Sequence, residues 1–366
     1  MKIYSHNDIA ALRLRSHRFA DAGFGTPEQV VQWMGAMQAQ DFGAAKWAIG
    51  VRLPGATDAS VEEAYNRGLI LRTHVLRPTW HFVPTADIRW MLALNAPRVI
   101  ASMRSRDRDL GLDAATFTRA NDVVARTLEG GRHLTREELA AALEAGGIRI
   151  DTARLYHIML RAESDTIACS GAMRGSEHTY ALLDERTPGV VALPKDEALA
   201  LLARRYFASH APATVTDFAW WSGLPAGDVR LGIGAIMGEF ETVKAEGQEY
   251  LVPREDNGVD FGEKPALLLL PAFDEYIIAY RDRAAVLTEG HHAKAVSSNG
   301  VFRPVIVERG LVTGLWKKVA GKRGVRVVPE FFGPTAEATN LPSTERTEAL
   351  ARASAQMAAF YDSITR

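Results

Sequence analysis

Apolar and polar positions repeat in one order three times along this chain: a capped amphipathic helix, a break, a second helix, then two short strands. In the first copy Thr26 precedes Pro27, which suits the first helical position, and Gln29 completes a capping box. Val30, Met34 and Met37 follow at helical spacing. A second start signal lies at Ser60-Val61-Glu62-Glu63. After Gly68 the pattern predicts strands over residues 69–76 and 79–83, with Arg77-Pro78 as the turn. In the second copy Thr135 and Glu138 form a capping box, Leu139 and Leu143 share a face, and Gly146-Gly147 stops the helix. Asp151 caps the next helix, which carries Leu155, Ile158, Met159 and Ala162. Strands over 166–170 and 179–183 flank a wing at 171–177. The third copy opens at Thr214-Val215-Thr216-Asp217 with Phe218 and Trp221 inward. It breaks at Gly223-Leu224-Pro225 and continues through a helix near 228–237. It ends in a hairpin, 240–245 and 249–252, joined by Glu246-Gly247-Gln248.

A helix-turn-helix followed by a two-stranded wing is the winged-helix pattern of DNA readers. The expected fold class is α+β: three tandem winged helix-turn-helix units, a small β-rich C-terminal region and a terminal helix. The expected boundaries are 1–110, 111–190, 191–260 and 261–366. The last region holds a buried strand at Leu267-Leu268-Leu269-Leu270 and strands over 301–307, 311–318 and 325–332. Its turns are Glu308-Arg309-Gly310 and Gly321-Lys322-Arg323-Gly324, and the helix spans 343–363. The alternative is an unrelated α+β protein, because capped helix pairs and hairpins are common.

The chain has 366 residues, 47% of them hydrophobic, enough for two or three cores. A net charge of −1 argues against coating nucleic acid by charge alone, but leaves room for a local basic groove. One cysteine, Cys169, permits no intramolecular disulfide and suits a reducing cytoplasm. The N-terminus has no apolar signal core, and no apolar run approaches the ~20 residues that span a bilayer, so no membrane is expected.

Zinc-protease, Walker and Cys-x-x-Cys motifs are absent from the sequence. His291-His292 lacks obvious further ligands, so neither a metal nor another cofactor is expected. Cys169 falls in a predicted strand as a structural thiol, and Gly232-Ile233-Gly234 lies in a helical pattern. What remains is polar text. Gln38-Ala39-Gln40-Asp41 follows the first amphipathic helix; extended, it points Gln38 and Gln40 the same way, and read alone it is a polar helix end. The next hairpin offers His74, Arg77, Thr79, Trp80 and His81. Alternation sets Thr79 and His81 on one face and Trp80 on the other. The alternative is a structural hairpin around a core tryptophan. Phosphate contacts need Lys and Arg. Arg98, Arg104, Arg106 and Arg108 lie near a helix, diluted by Asp107 and Asp109. Lys317, Lys318, Lys322, Arg323 and Arg326 flank a β-turn, either as a groove-entering hairpin or as a solvated turn. Asp274, Glu275, Arg281, Asp282 and Arg283 read as structural ion pairs after a buried strand.

Several segments occur in order: Met37-Gln38-Ala39-Gln40-Asp41, Leu76-Arg77-Pro78-Thr79-Trp80-His81-Phe82-Val83 and Asp217-Phe218-Ala219-Trp220-Trp221-Ser222-Gly223. Leu270-Pro271-Ala272-Phe273-Asp274-Glu275-Tyr276, Tyr280-Arg281-Asp282-Arg283 and Gly314-Leu315-Trp316 follow. In these the chain resembles the AlkZ/YcaQ family of bacterial winged-helix DNA glycosylases. That family's catalytic motif is Gln, an apolar residue, then Gln or Asp; Gln38-Ala39-Gln40 resembles the AlkZ-like branch. The resemblance implies a concave basic surface for duplex DNA and monofunctional hydrolysis of the N-glycosidic bond of alkylated purines in base excision repair. Some relatives unhook interstrand crosslinks. It makes Gln38 and Gln40 the catalytic pair, with Asp41 ranked below them. From their position in the motif next to the wing, His74, Arg77, Thr79 and His81 are expected near the sugar-phosphate, and from their charge Lys317, Lys318, Lys322 and Arg323 are expected on DNA. A monomer is expected. The competing readings are a tandem winged-helix transcription regulator and a resistance factor that binds adducts without cutting them.

Overall fold

In the computed structural model the described residues are 3–19, 23–254, 265–321, 324–333 and 341–362. Lys322 and Arg323 lie outside the described residues, as does Ser363 at the end of the expected terminal helix. The chain is α+β and forms two compact units, Met1–Glu62 with Leu199–Arg366, and Glu63–Ala198.

In the unit Glu63–Ala198, local signals settle most of the elements. Thr135 and Glu138 form the reciprocal capping box of the helix Arg136–Ala145, and Leu139 and Leu143 are fully buried. Asp151 caps the helix Thr152–Ser164 by accepting from the amides of Ala153 and Arg154. Leu155, Ile158, Met159 and Ala162 join one core with Phe117, Val124 and Leu128 of the helix Ala114–Leu128. The strand Thr179–Leu182 lies between Leu134–Thr135 and Ala168–Ser170. This last strand begins two residues later than expected. Thr166 takes a φ of 60° while the amides of Thr166 and Ile167 bond back to the carbonyls of Glu163 and Ala162, closing the helix end.

The same unit holds the hairpin Ile70–Val75 and Thr79–Pro84. Thr73 pairs with His81 and His74 with Trp80. Thr79 and His81 therefore share a face with Thr73, opposite the face of Trp80, His74 and Arg72. The helix Ile88–Asp109 follows and carries the arginine cluster of the first half.

In the other unit, two start signals work differently from their expected form. The Thr26 side chain makes no capping bond; Gln29 Oε1 instead accepts from the Gly25 amide at 2.7 Å. The helix near Ser60 starts at Asp58, because Thr57 is its cap and Ser60 is the residue that reciprocates. The third expected start matches: Thr214 and Asp217 form a box, Phe218 and Trp221 are buried, and Gly223 closes the helix Val215–Ser222 in the left-handed region. Gly232, in the helix Ala226–Ile236, allows that helix to approach the Leu199 carbonyl; a Cβ there would lie 2.7 Å from the oxygen. Glu246 and Gly247, with φ of 45° and 80°, make a two-residue turn, so Gln248 already belongs to the strand Gln248–Pro253.

A four-stranded antiparallel sheet runs in chain order through Leu267–Leu270, Val305–Glu308, Leu311–Gly321 and Gly324–Phe331. Its second strand is shorter than the expected 301–307. Pro304 has no amide hydrogen to give a ladder, and pairing starts at Val305. The helix Ser343–Tyr361 sets Phe360 edge-on to Trp47 of the helix Phe42–Gly50, with ring centres 5.2 Å apart.

Candidate active site

The Gln38-Ala39-Gln40 segment is built by two stops. Gly35, at φ 77°, ends the helix Pro27–Met34, so Met37 and Gln38 are extended rather than helical. Asp41 then caps the next helix, Phe42–Gly50, by accepting from the Ala44 amide at 2.9 Å. Its carboxylate therefore has a structural task three residues from Gln38. Ala39 is fully buried and Gln38 is 7% exposed, whereas Gln40 is exposed. A small middle residue fits this burial.

What holds the segment lies far along the chain. The Gln38 amide donates to Glu275 Oε1 at 2.6 Å, across 237 positions of sequence. Such a short bond to a buried carboxylate is of the strong, charge-assisted kind. The other oxygen of Glu275 accepts from the Trp221 indole at 3.0 Å and lies 3.8 Å from His210 Nε2. The neighbouring Asp274 accepts two bonds of 2.8 Å from Arg52, just past the end of the helix Phe42–Gly50, with both side chains fully buried. Between these ends, the Trp47 indole donates to the Leu269 carbonyl at 2.8 Å. Gln38, Trp47 and Arg52 are thus three fixed points on one short stretch, all tied to residues 269–275.

Behind Arg52 runs a buried relay. Arginine has only donors, so its 3.1 Å contact with His17 Nδ1 makes that nitrogen the acceptor. His17 Nε2 then donates to the Tyr280 hydroxyl at 2.9 Å, which donates to the His210 carbonyl. Burial, reinforced by His210, Arg52 and Arg13, pushes the His17 pKa well below its ordinary value, in keeping with this neutral tautomer. Burial also lowers His210, opposed by Glu275.

The structure divides the expected DNA-contacting residues. Lys317 and Lys318 are exposed on the strand Leu311–Gly321, in the same unit as Gln38 and Gln40. The Lys318 ammonium sits 3.8 Å from the centre of the Tyr361 ring. Its pKa is lowered, chiefly by burial, against the pull of Asp58 and Asp41. In the other unit, Arg77 and Thr79 are half-buried at the hairpin turn. His74 is buried, with Nδ1 3.0 Å from Glu163 Oε2, which also accepts from the His74 amide and the Thr73 hydroxyl. His81 is fully buried, and its Nδ1 bonds the Thr79 carbonyl. Cys169 is buried in its strand, and burial pushes its thiol up to about 12.

The sequence reading put Gln38 and Gln40 forward but assigned no site role to Glu275. The only signal was a carboxylate pair after a buried strand, and nothing local distinguishes a carboxylate that grips a distant backbone from one that forms an ion pair.

The class of protein is that of the DNA glycosylases. The family described as "DNA glycosylase AlkZ-like" matches residues 31–360, and the chain belongs to it. As a DNA glycosylase it acts on N-glycosyl bonds. It is 26% identical over 315 residues to the interstrand DNA cross-link repair glycosylase of Streptomyces sahachiroi, covering 82% of this chain and 84% of that one. Its fold is similar to the solved structure of the Streptomyces sahachiroi DNA glycosylase AlkZ, with a TM-score of 0.79 and 21% identity, over 98% of this chain and 97% of that one. Among the described residues no helix is long and apolar enough to cross a membrane.

Proposed function

We propose that this chain hydrolyses the N-glycosidic bond of purines alkylated to a cationic N7 state in duplex DNA, with Gln38 and Gln40 holding the attacking water. The observation that carries this reading is the anchored Gln38 beside an exposed Gln40, on a segment gripped by Glu275. Glycosidic cleavage passes through an oxocarbenium-like state and often needs an acid for its leaving group. A cationic N7-alkylpurine leaves without one. The enzyme then gains by positioning water at C1′ and by stabilising charge. An amide offers both acceptor and donor groups, so two can orient a water while remaining too weakly basic to release undamaged bases. Asp41 adds negative potential only from its cap.

The helix–helix–hairpin repeats act as tandem winged helices that carry the duplex, within the boundaries set out above. Arg77 and Thr79 contact the sugar-phosphate from the hairpin turn, and His74 and His81 support them from within that hairpin. Lys317 and Lys318, together with Lys322 and Arg323 a few positions further along the chain, bind phosphates. Bulky adducts and interstrand crosslinks are the next substrate class, favoured by the cross-link repair activity named for the Streptomyces relative. The protein works as a monomer, in the cytoplasm with the nucleoid.

The test is base release from a duplex carrying N7-methylguanine, comparing wild type with the Gln38→Ala, Gln40→Ala double variant. Release by wild type that is lost in the folded double variant supports the pair. An unchanged rate removes it.

A further inference from the structure

We propose that Glu275 is a positioning residue of the reaction: it sets the place of Gln38 rather than merely stabilising the fold. The inference rests on the water-holding role of Gln38 argued above. Glu275 is 1% exposed, and a carboxylate taken so far out of water must be matched by donors. Its donors are specific. One oxygen takes the Gln38 backbone amide at 2.6 Å and the other takes the Trp221 indole at 3.0 Å. The position of Glu275 is itself over-determined. Asp274, one residue earlier, caps the turn Glu275–Ile278 and is held bidentately by Arg52, while Tyr276, one residue later, donates to the Gly310 carbonyl at 2.8 Å.

The two carboxylates divide the labour along the stretch from Gln38 to Arg52. Asp274 holds its far end, and Glu275 holds its near end at the first member of the glutamine pair. Fixing the backbone at Gln38 fixes the point from which its side chain extends. Gln40, two residues on, is bounded in turn by the Asp41 cap. A water placed by two amides tolerates little drift, since displacement by about 1 Å can cost about 100-fold in rate. Anchoring the main chain of one amide directly is a physical means of limiting that drift.

A glutamine at 275 keeps the shape but can accept on only one oxygen. Its NH2 then faces either the Gln38 amide or the indole, donor against donor. The test is single-turnover release of N7-methylguanine from duplex DNA by the full-length chain as wild type, Glu275→Gln, Gln38→Ala and the double variant. Glu275→Gln is expected to slow release about 10- to 100-fold with unchanged Kd for the duplex. The Gln38→Ala, Glu275→Gln protein is expected to be no slower than Gln38→Ala alone, because the two act as a unit.

A wild-type rate for Glu275→Gln overturns the proposal, and so does an undiminished further loss in the Gln38→Ala background. Failure of the underlying reading is a different result: the Gln38→Ala, Gln40→Ala protein then works at the wild-type rate. Should Glu275→Gln not fold, Glu275→Asp retains the charge but withdraws the acceptor by one methylene. Slower release with unchanged Kd supports the proposal there, and a wild-type rate overturns it.

Discussion

Asp274, Glu275 and Glu163 show how a buried carboxylate earns its position through the donors around it. Arg52 and Asp274 are both fully buried, so the pair is tightly constrained and costly to halve. Arg52→Ala strips Asp274 of two bonds and leaves its charge in the core. It is expected to destabilise the protein by about 3–5 kcal/mol, read as a shift of the urea unfolding midpoint. A variant replacing both partners with apolar residues should recover much of that loss, and equal losses for the two proteins would contradict the assignment. Cys169 presents the opposite case. With its thiol pushed up to about 12 by burial, it holds almost no thiolate at neutral pH. Native protein at pH 8 should leave it unmodified by a thiol reagent that labels it in denaturant. Rapid labelling of the folded chain would rule out a structural thiol. At this scale the Gln38-Ala39-Gln40 segment stands out only through the family resemblance, since its residue types and spacing alone describe a polar helix end. Its anchor was not legible, because a bond spanning 237 positions leaves no local trace.

Two helix starts were readable from a hydroxyl and a carboxylate three residues apart. Thr135-x-x-Glu138 and Thr214-x-x-Asp217 became reciprocal boxes because both partners lie within one turn. Thr135→Ala is expected to cost about 1 kcal/mol, measured by urea denaturation. Gln29 was misjudged because its longer side chain reaches Gly25 instead of Thr26. The start of the helix Asp58–Asn66 was misplaced because Thr57 and Ser60 exchange bonds that a hydroxyl-to-carboxylate pattern does not describe. Gly232 illustrates a third kind of constraint. It sits in a helix with no need for unusual backbone, yet a methyl there would press on the Leu199 carbonyl. Gly232→Ala should therefore lower the melting temperature, against the helix-propensity gain of about 1 kcal/mol that an open site would give. A raised melting temperature would show that the two helices yield.

For the molecule as a whole, buried imidazoles tie stability to pH. His17 and His210 both have folded pKa values below the unfolded value near 6.5, mainly through burial. Their contribution is fully present above about pH 6.5. It is lost as pH falls from there toward the depressed folded values, because the unfolded chain binds the protons first. Each can remove at most about 1.4 kcal/mol per pH unit, so urea midpoints should drop between about pH 7.5 and 5.5. Midpoints that stay level over that range would mean that these rings are charged or exposed. DNA affinity should respond to salt through the basic strand and its turn. Charge reversal at Lys322 and Arg323 is expected to weaken binding and flatten the dependence of log K on log salt, by about 0.9 per lost phosphate contact. An unchanged slope removes this hairpin from the DNA contacts.

The amino-acid sequence by itself determined the α+β class, most helix starts, the strand hairpins and the structural thiol. These follow from periodicity, caps and turn chemistry, which act over a few residues and are written in consecutive letters. Tertiary structure alone decided which carboxylate grips Gln38, that His74 is claimed by Glu163, and that Lys318 rests on Tyr361. Those outcomes depend on which polar groups are buried together. A buried carboxylate or imidazole takes whatever donor or acceptor the folded chain brings within about 3 Å, however distant that partner is in sequence.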